Sequence, residues 1–388
     1  MKKVLVYTSG LLPYSETFIK EQVLSFQRWH PVLAGLHRVP GLVLDGIDLL
    51  LLRPLSGNIF SKICSRIFRE VAIAYPGDAE KLKQQKAALL HVHFGTEAVA
   101  VWPVAKKIGV PMVITLHGFD INVYREWWES GKGGVSNTRY PRRLLQLAQQ
   151  PAVHFVAVSK AIRQRAITYG IPAERITVCY IGIDLKKFVP AGKPLPERPL
   201  RVLYVGRMVE KKGGAILIEA FARIRKNMPV AELVMIGDGP LLETYKKQAH
   251  QLSVPVQFLG ACTPAEVKAN LDTCRIFCLP SITAENGDAE GLPMVLLEAQ
   301  ASGVPVVTSA MGGVGEGLVD GETGFSFAEH DVDALVRHLS TLLQDPTLAT
   351  SMSIAAPKFI AKNFDILSCT KKLENVYEDV ILNNISRS

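Results

Sequence analysis

Short apolar runs rich in β-branched residues alternate with longer amphipathic segments along the whole chain. Such runs predict buried strands, and the segments between them predict helices. The predicted strands are, in order, Lys3–Thr8, Pro31–Gly35, Leu89–Val92, Met112–Leu116, His154–Val158, Ile176–Tyr180, Leu200–Val205, Ala231–Ile236, Val256–Leu259, Ile276–Leu279 and Val304–Ser309. This alternation is typical of an α/β protein with doubly wound parallel sheets.

The strand pattern is interrupted once by the segment from Ala191 to Pro199, which is rich in proline and predicts a linker. We therefore expect two domains, the first over residues 1–193 and the second over residues 194–364. Two doubly wound domains would place a ligand cleft between the carboxyl ends of their strands.

Composition supports a globular protein of two domains, with 388 residues, 48% hydrophobic and 21% charged. The longest apolar stretch, Val39–Leu52, contains Asp45 and Asp48, and it is shorter than the roughly 20 residues of a membrane span. The chain starts directly with a strand pattern, so we expect no secretion signal. The six cysteines are scattered and form no zinc set, which favours a cytoplasmic protein with reduced thiols.

Charge is distributed unevenly around the net value of +8. Residues 1–196 hold 26 Lys+Arg against 13 Asp+Glu, and residues 197–388 hold 18 against 23. A basic half indicates an anionic partner, but no nucleic-acid module is present, so we expect no nucleic acid. The basic amphipathic segment Asn58–Tyr75 either lies on an anionic membrane surface or packs within its domain. The aromatic and basic stretch Arg125–Arg143 predicts a loop that serves the membrane or the acceptor.

One stretch of nine residues, Glu290-Gly-Leu-Pro-Met-Val-Leu-Leu-Glu298, carries the most chemical information. Pro293 predicts a helix start, because proline is favoured at the first helical position. The amides of Met294, Val295 and Leu296 would then be free donors suited to an anion. Glu298 would lie deeper in the helix, where it can accept hydrogen bonds from hydroxyl groups. A site that binds both a phosphate and a diol is suited to a nucleotide with its ribose. The simpler alternative is that the acidic residues only compensate the helix dipole.

A second motif, Val205–Gly214, follows the first strand of the second half. Arg207 offers a fork of donors and Lys212 a compact charge, while Gly206 permits close approach of the backbone. The segment with these two cations is either a diphosphate clamp, in which both side chains contact one diphosphate, or a basic surface loop. The following turn, Ile236-Gly-Asp-Gly-Pro240, only partly matches a dinucleotide fingerprint and is a weak signal.

These motifs together resemble the donor-binding half of the retaining glycosyltransferases of family 4. The resemblance rests on the two motifs above and on Ile236–Pro240, Phe258–Gly260, Ala301–Val307 and Gly312–Glu316. The first half is similar more loosely, through Ser15–Phe18, His91–Phe94, Thr115–Asp120 and Tyr180–Asp184, where Ile181 replaces the usual asparagine. The resemblance implies the GT-B fold, with two Rossmann-like domains facing each other across a cleft, and a final helix over about 365–388 that packs back onto the first domain.

The resemblance also implies roles for individual residues. Arg207 and Lys212 would contact the donor diphosphate, Glu298 the ribose hydroxyls, and Glu290 and His117 the transferred sugar. Gly206, Gly260 and Gly10 would line the donor site. The resemblance also implies that the donor site includes Gly291, Leu292, Pro293, Met294 and Val295. The candidate acceptor-side residues are Ser15, Glu16, Thr17 and Asp120.

Neither a metal ion nor a further cofactor is expected. We expect His91 and His93 to face opposite sides of their strand and to have structural roles, because no third ligand lies nearby. Asp331 and Asp333 resemble a metal-binding pair, but they precede a predicted helix, so capping and first-turn charge explain them. The resemblance implies that no metal is required.

We expect a cytoplasmic enzyme, either soluble or bound peripherally to the membrane. It would move a hexose-type sugar from a UDP- or GDP-linked donor to a lipid-linked or surface-polysaccharide intermediate, with retention of configuration. The alternatives are transfer to a small soluble acceptor, a sugar-nucleotide epimerase with the same fold, and a catalytically silent binder of nucleotide sugars.

Overall fold

The computed structural model describes residues 1–53, 74–191, 193–309 and 311–385. The chain divides into two compact units, one formed by Met1–Gly182 with Ile366–Ser388 and the other by Ile183–Asp365. The amide of Ile183 donates to the carbonyl oxygen of Phe364 at 2.7 Å, so the first and last residues of the second unit lie side by side.

The first unit is built around a seven-stranded parallel sheet with the order β5-β3-β1-β6-β7-β8-β9. Its central strand, β6, is buried along its whole length, because helices cover both faces of a parallel sheet. A short parallel pair, β2 with β4, lies beside the sheet. The strands are β1 (Lys2–Tyr7), β2 (Gly10–Leu11), β3 (Trp29–Gly35), β4 (His37–Arg38), β5 (Asp48–Leu51), β6 (Leu89–His93), β7 (Met112–Leu116), β8 (Val153–Ala157) and β9 (Ile176–Val178).

The second unit contains a six-stranded parallel sheet with the order β12-β11-β10-β13-β14-β15. Two of its inner strands, β13 and β14, are buried along their whole length. The strands are β10 (Arg201–Val205), β11 (Glu232–Ile236), β12 (Val256–Gly260), β13 (Ile276–Leu279), β14 (Val306–Ser309) and β15 (Gly324–Phe327).

Helices connect most of the parallel strands in both units, because parallel neighbours need a crossover connection. Those described in the first unit are α1 (Thr17–Leu24), α2 (Asp78–Gln84), α3 (Gly95–Ile108), α4 (Phe119–Asn122), α5 (Arg125–Glu129), α6 (Tyr140–Ala148), α7 (Lys160–Tyr169) and, after the second unit, α14 (Ile366–Ile385). Those of the second unit are α8 (Gly214–Asn227), α9 (Leu242–Gln251), α10 (Pro264–Thr273), α11 (Met294–Ala301), α12 (Val332–Gln344) and α13 (Pro346–Asn363).

The strands predicted from the sequence are confirmed, each to within two residues at either end. The sequence analysis missed four strands, among them the edge strands β5 and β15. β15 begins at Gly324, where a Cβ atom would lie 2.3 Å from the carbonyl oxygen of Val306. The neighbouring strand leaves no room for a side chain at this position, so the strand has to begin with glycine. In the sequence a glycine indicates a turn, and the strand was therefore missed.

The final helix α14 packs against the first unit through buried polar contacts. Glu374 accepts hydrogen bonds from the amides of Gln27, Arg28 and Trp29 at 2.9, 2.7 and 3.1 Å. Tyr377 is fully buried among the strands, where its ring stacks on Phe26. The helix therefore supplies part of the core of the first unit.

Candidate active site

In the second unit, the loop after β10 brings a buried lysine to a buried glutamate. Lys212 Nζ lies 2.9 Å from Glu290 Oε1, and the two side chains are 14% and 8% exposed. Gly206 lies beside Lys212, where a Cβ atom would come within 3.4 Å of the lysine Cδ. Arg207 is exposed on the same loop. The loop therefore combines a fixed ion pair with a cation that is accessible to a ligand.

The surrounding charges keep this glutamate ionised. Burial alone would raise the pKa of Glu290, but the positive charges of Lys212, Lys211 and Arg207 outweigh it and lower that pKa. Burial lowers the pKa of Lys212, and the charge of Glu290 opposes that shift. A carboxylate with excess positive charge around it leaves a site that favours an added anion.

A second buried ion pair ties the Glu290 loop to the Lys212 loop. Lys211 Nζ lies 3.0 Å from Asp288 Oδ1, and the amide of Ile282 donates to the carbonyl oxygen of Lys211 at 2.8 Å. The amide of Glu285 donates to the carboxylate of Glu210 at 3.2 Å. These contacts fix the position of the glutamate loop. Sequence reasoning missed this pair, although its members stand one and two residues from predicted site residues.

Glycines allow the loops at the carboxyl ends of these strands to approach one another. Gly213 has a φ of 64°, and a Cβ atom there would lie 1.7 Å from the carbonyl oxygen of Pro280. Gly237 has a φ of 135°, and its Cβ would lie 1.9 Å from the carbonyl oxygen of Gly206. The amide of Gly237 donates to the carbonyl oxygen of Gly260 at 2.7 Å, which places the end of β12 beside the same edge. Any side chain at the first two positions would push the loops apart.

The helix predicted after Glu290 is present as α11, with two corrections. It begins at Met294, and Pro293 is the residue before it rather than the first helical one. The amide of Leu296 is not free, because it donates to the carbonyl oxygen of Pro293 at 3.1 Å. Glu298 lies in the second turn and is partly buried. Gly291 and Pro293 are buried, and partly exposed positions are Leu292, Met294 and Val295.

In the first unit, His117 follows β7 and contacts a second histidine. His117 Nε2 lies 3.0 Å from Nδ1 of His93, the last residue of β6. The rings of Phe94 and Phe18 flank His117 with centroids 4.5 and 4.9 Å away. Phe94 adopts a φ of 72°, a strained conformation for a bulky residue and one that occurs at functional sites. Burial, together with nearby His91, lowers the pKa of His117 to about 3, so the ring is neutral.

The prediction that His91 and His93 face opposite sides of their strand is wrong. Their ring centroids lie 4.4 Å apart and both side chains are fully buried, because residues two apart on a strand share a face. His91 lies 2.7 Å from Thr115 Oγ1 through Nε2 and 2.6 Å from the Tyr377 hydroxyl through Nδ1. His91 is thus held by hydroxyl groups, whereas His93 contacts His117.

Asp120 organises the main chain around His117. Its side chain is fully buried, and its carboxylate accepts hydrogen bonds from the amides of Gly95, His117 and Gly118 at 2.9, 3.1 and 3.0 Å. Burial raises the pKa of Asp120, and these three amides act against that shift. Because its oxygens are occupied, Asp120 shapes the loop and does not face an acceptor.

Glu16, one of the predicted acceptor-side residues, lies near the carboxyl group of Glu97. Burial and the neighbouring charge of Glu97 raise the pKa of Glu16 to about 7. Ser9 Oγ donates to Glu97 Oε1 at 2.8 Å. Sequence reasoning missed Ser9 and Glu97, although the latter stands in the first turn of the helix that follows β6. Of the other predicted residues of this unit, Gly10 lies on β2, Ser15 is exposed in a short 3-10 helix, and Thr17 begins α1.

The two aspartates that resemble a metal motif serve the start of α12. Asp331 Oδ1 accepts a hydrogen bond from the amide of Ala334 at 2.8 Å, which confirms the predicted cap. Asp333 pairs with Arg223 at 2.6 Å. Within the described residues, no three histidine, cysteine or acidic side chains lie together as a metal site would require.

Comparison with known proteins places the chain in a family. Residues 186–359 match the family described as glycosyl transferases group 1, and residues 60–187 match glycosyltransferase family 4. The amylovoran biosynthesis glycosyltransferase AmsK of Erwinia amylovora is 31% identical over 77% of this chain and 72% of its own length. The chain belongs to glycosyltransferase family 4.

Two further comparisons extend this assignment. WcaL of Salmonella typhimurium, named as a glycosyltransferase of colanic acid biosynthesis, is 32% identical over 56% of this chain, and the alignment spans only 54% of WcaL. The crystal structure of Anabaena HepE with UDP-glucose superposes with a TM-score of 0.77 at 18% identity, covering 98% of this chain and 100% of HepE. The family member described here therefore has the two-domain α/β GT-B fold.

No helix in the described ranges has both the length and the apolar character needed to cross a bilayer. The basic amphipathic segment predicted at Asn58–Tyr75 lies, apart from its last two residues, outside the described part of the chain.

Proposed function

We propose that this family 4 member transfers a hexose-type sugar from a UDP- or GDP-linked donor to an acceptor, with retention of configuration and without a metal ion. The observation that carries the proposal is the buried Lys212–Glu290 ion pair beside the exposed Arg207 at the end of β10. Preorganised cations of this kind stabilise the charge that develops on a leaving diphosphate.

The donor-side roles proposed here are those that the family resemblance implies for residues of the second unit. Arg207 and Lys212 hold the diphosphate, and the amides at the start of α11 add donors to the same anion. Glu290 accepts hydrogen bonds from hydroxyls of the transferred sugar. Glu298, one turn deeper in the helix, accepts those of the ribose. By family resemblance, His117 contacts the transferred sugar.

The proposed chemistry needs no side chain as nucleophile. The bond between the anomeric carbon and the diphosphate oxygen breaks, and the acceptor oxygen forms its bond on the same face of the sugar. The acceptor proton passes to the departing diphosphate oxygen. Lys212 and Arg207 stabilise that oxygen as its negative charge grows. Glu290 does not act as one member of a glycosidase pair, because its carboxylate is held by Lys212.

Donor binding tests this proposal. We expect one nucleotide sugar in a panel of UDP- and GDP-linked hexoses to raise the melting temperature, by about 2–4 °C for each kcal/mol of binding free energy. Glu298→Ala should weaken binding of that donor at least about tenfold, since it removes charge-assisted hydrogen bonds to the ribose. Glu243→Ala, an exposed change on α9, is the control and should bind as wild type. Failure of every nucleotide sugar to stabilise the protein would refute the proposal.

The acceptor proposed is a lipid-linked or surface-polysaccharide intermediate. The names of AmsK and WcaL assign those relatives to amylovoran and colanic acid biosynthesis, and the basic first half of this chain suits an anionic acceptor or membrane surface. A small soluble acceptor is the alternative.

Vesicle binding separates these alternatives. We expect the protein to sediment with vesicles rich in anionic lipid at low ionic strength and to be released by salt, because screening weakens exposed charge pairs. Zwitterionic vesicles are the control. Absence of binding to anionic vesicles at low salt would favour a soluble acceptor.

A further inference from the structure

The contact between His93 and His117 restricts where their ring protons lie. His93 Nδ1 and His117 Nε2 are 3.0 Å apart. Burial and the neighbouring histidines lower the pKa of both rings, so each is neutral and carries one ring proton. In a neutral imidazole one nitrogen donates and the other accepts. The proton between the two rings is therefore bonded either to Nδ1 of His93 or to Nε2 of His117, and the other nitrogen accepts it.

The burial of His93 decides between the two arrangements. His93 is fully buried, and its Nε2 has no hydrogen-bond partner among residues the structure describes. If His117 donated through Nε2–H, the proton of His93 would have to lie on Nε2, and a buried N–H would have no acceptor. Buried N–H groups without a partner are rarer than unsatisfied acceptors. The lower-energy arrangement has His93 donating from Nδ1 to Nε2 of His117.

We infer that His93 is a positioning residue that holds His117 as the Nδ1–H tautomer. His117 is partly exposed, and its contact with His93 is made through Nε2, which leaves Nδ1 as the other ring nitrogen. With Nε2 accepting from His93, Nδ1 carries the ring proton and is a hydrogen-bond donor. A donor at this place recognises a sugar hydroxyl oxygen and cannot act as a general base.

This inference rests on the proposed function only for the identity of what His117 contacts. The tautomer itself is a property of the free protein. The flanking rings of Phe18 and Phe94 limit the movement of the His117 ring, so the orientation set by His93 persists when a ligand arrives. Such fixed orientation lowers the reorganisation needed to reach the reactive geometry.

The tautomer can be measured directly on the full protein without ligand. In protein labelled with ¹⁵N-histidine, a long-range ¹H–¹⁵N spectrum distinguishes the protonated from the unprotonated ring nitrogen. The His117 signals are identified by their loss in His117→Gln. We expect a protonated Nδ1 and an unprotonated Nε2 at neutral pH. A protonated Nε2 in the wild type would overturn the inference.

Variants at His93 test whether this residue sets the tautomer. His93→Leu should shift His117 towards Nε2–H and lower turnover of the donor found by thermal shift about tenfold, with its KM little changed. His93→Asn places an amide N–H near the former Nδ1 and should restore both readouts. His91→Leu is the matched control on the same strand face; it removes contacts to Thr115 and Tyr377 and should leave the His117 tautomer unchanged.

The outcomes separate this inference from the proposed function. An unchanged His117 tautomer and turnover in His93→Leu would overturn the inference even if donor binding is normal. The expected tautomer in a protein that binds no nucleotide sugar would leave the histidine contact correct and remove the proposed function.

Discussion

Lys212→Met is expected to lower turnover at least about tenfold, because in the proposed function it removes a cation from the place where the leaving diphosphate gains charge. It should also destabilise the protein by about 3 kcal/mol, since Glu290 remains buried without its partner. Turnover of the donor and chemical unfolding measure the two effects separately. An unchanged rate would remove the diphosphate clamp from the mechanism.

A double variant distinguishes the two effects of this change. Lys212→Met with Glu290→Gln leaves no uncompensated buried charge, so much of the lost stability should return. Turnover should stay low, because neither the cation nor the carboxylate is restored. Lys226→Met, an exposed change at the end of α8, is the control and should alter neither property. Recovery of turnover in the double variant would show that the loss in Lys212→Met came from misfolding.

Asp120→Asn is expected to destabilise the protein by about 2–4 kcal/mol and to lower turnover with it. Three main-chain amides point at the two carboxylate oxygens, so an amide nitrogen in place of one oxygen would face another N–H donor. The loop that carries His117 would then lose its fixed position. Chemical unfolding and turnover are the measurements.

The control for this prediction is Asp45→Asn, which changes an exposed aspartate of the same unit and should shift stability by less than about 0.5 kcal/mol. If Asp120→Asn were as stable as wild type, the carboxylate would not be organising the loop. If it were unstable but fully active once folded, the position of His117 would not depend on Asp120.

Local patterns in the sequence predicted the main strands and the loops after β10 and before α11. This succeeded because a buried parallel strand needs a continuous apolar run, and loops that approach one another closely need glycine at the points of contact. The edge strands β5 and β15 were missed because one face or margin of an edge strand is less buried and its apolar pattern is weaker. The error at His91 and His93 came from assigning alternate faces to residues two positions apart.

The sequence alone determined the alternation of strands and helices, the family motifs and the residues expected to bind the donor. Only the tertiary structure decided which side chains meet: Lys211 with Asp288 across 77 positions, and His93 with His117 across 24. Propensity and periodicity act over neighbouring residues, whereas an ion pair or a shared proton depends on the register of strands brought together by folding. That register is set by packing of the whole unit, so these partners carry no local signal.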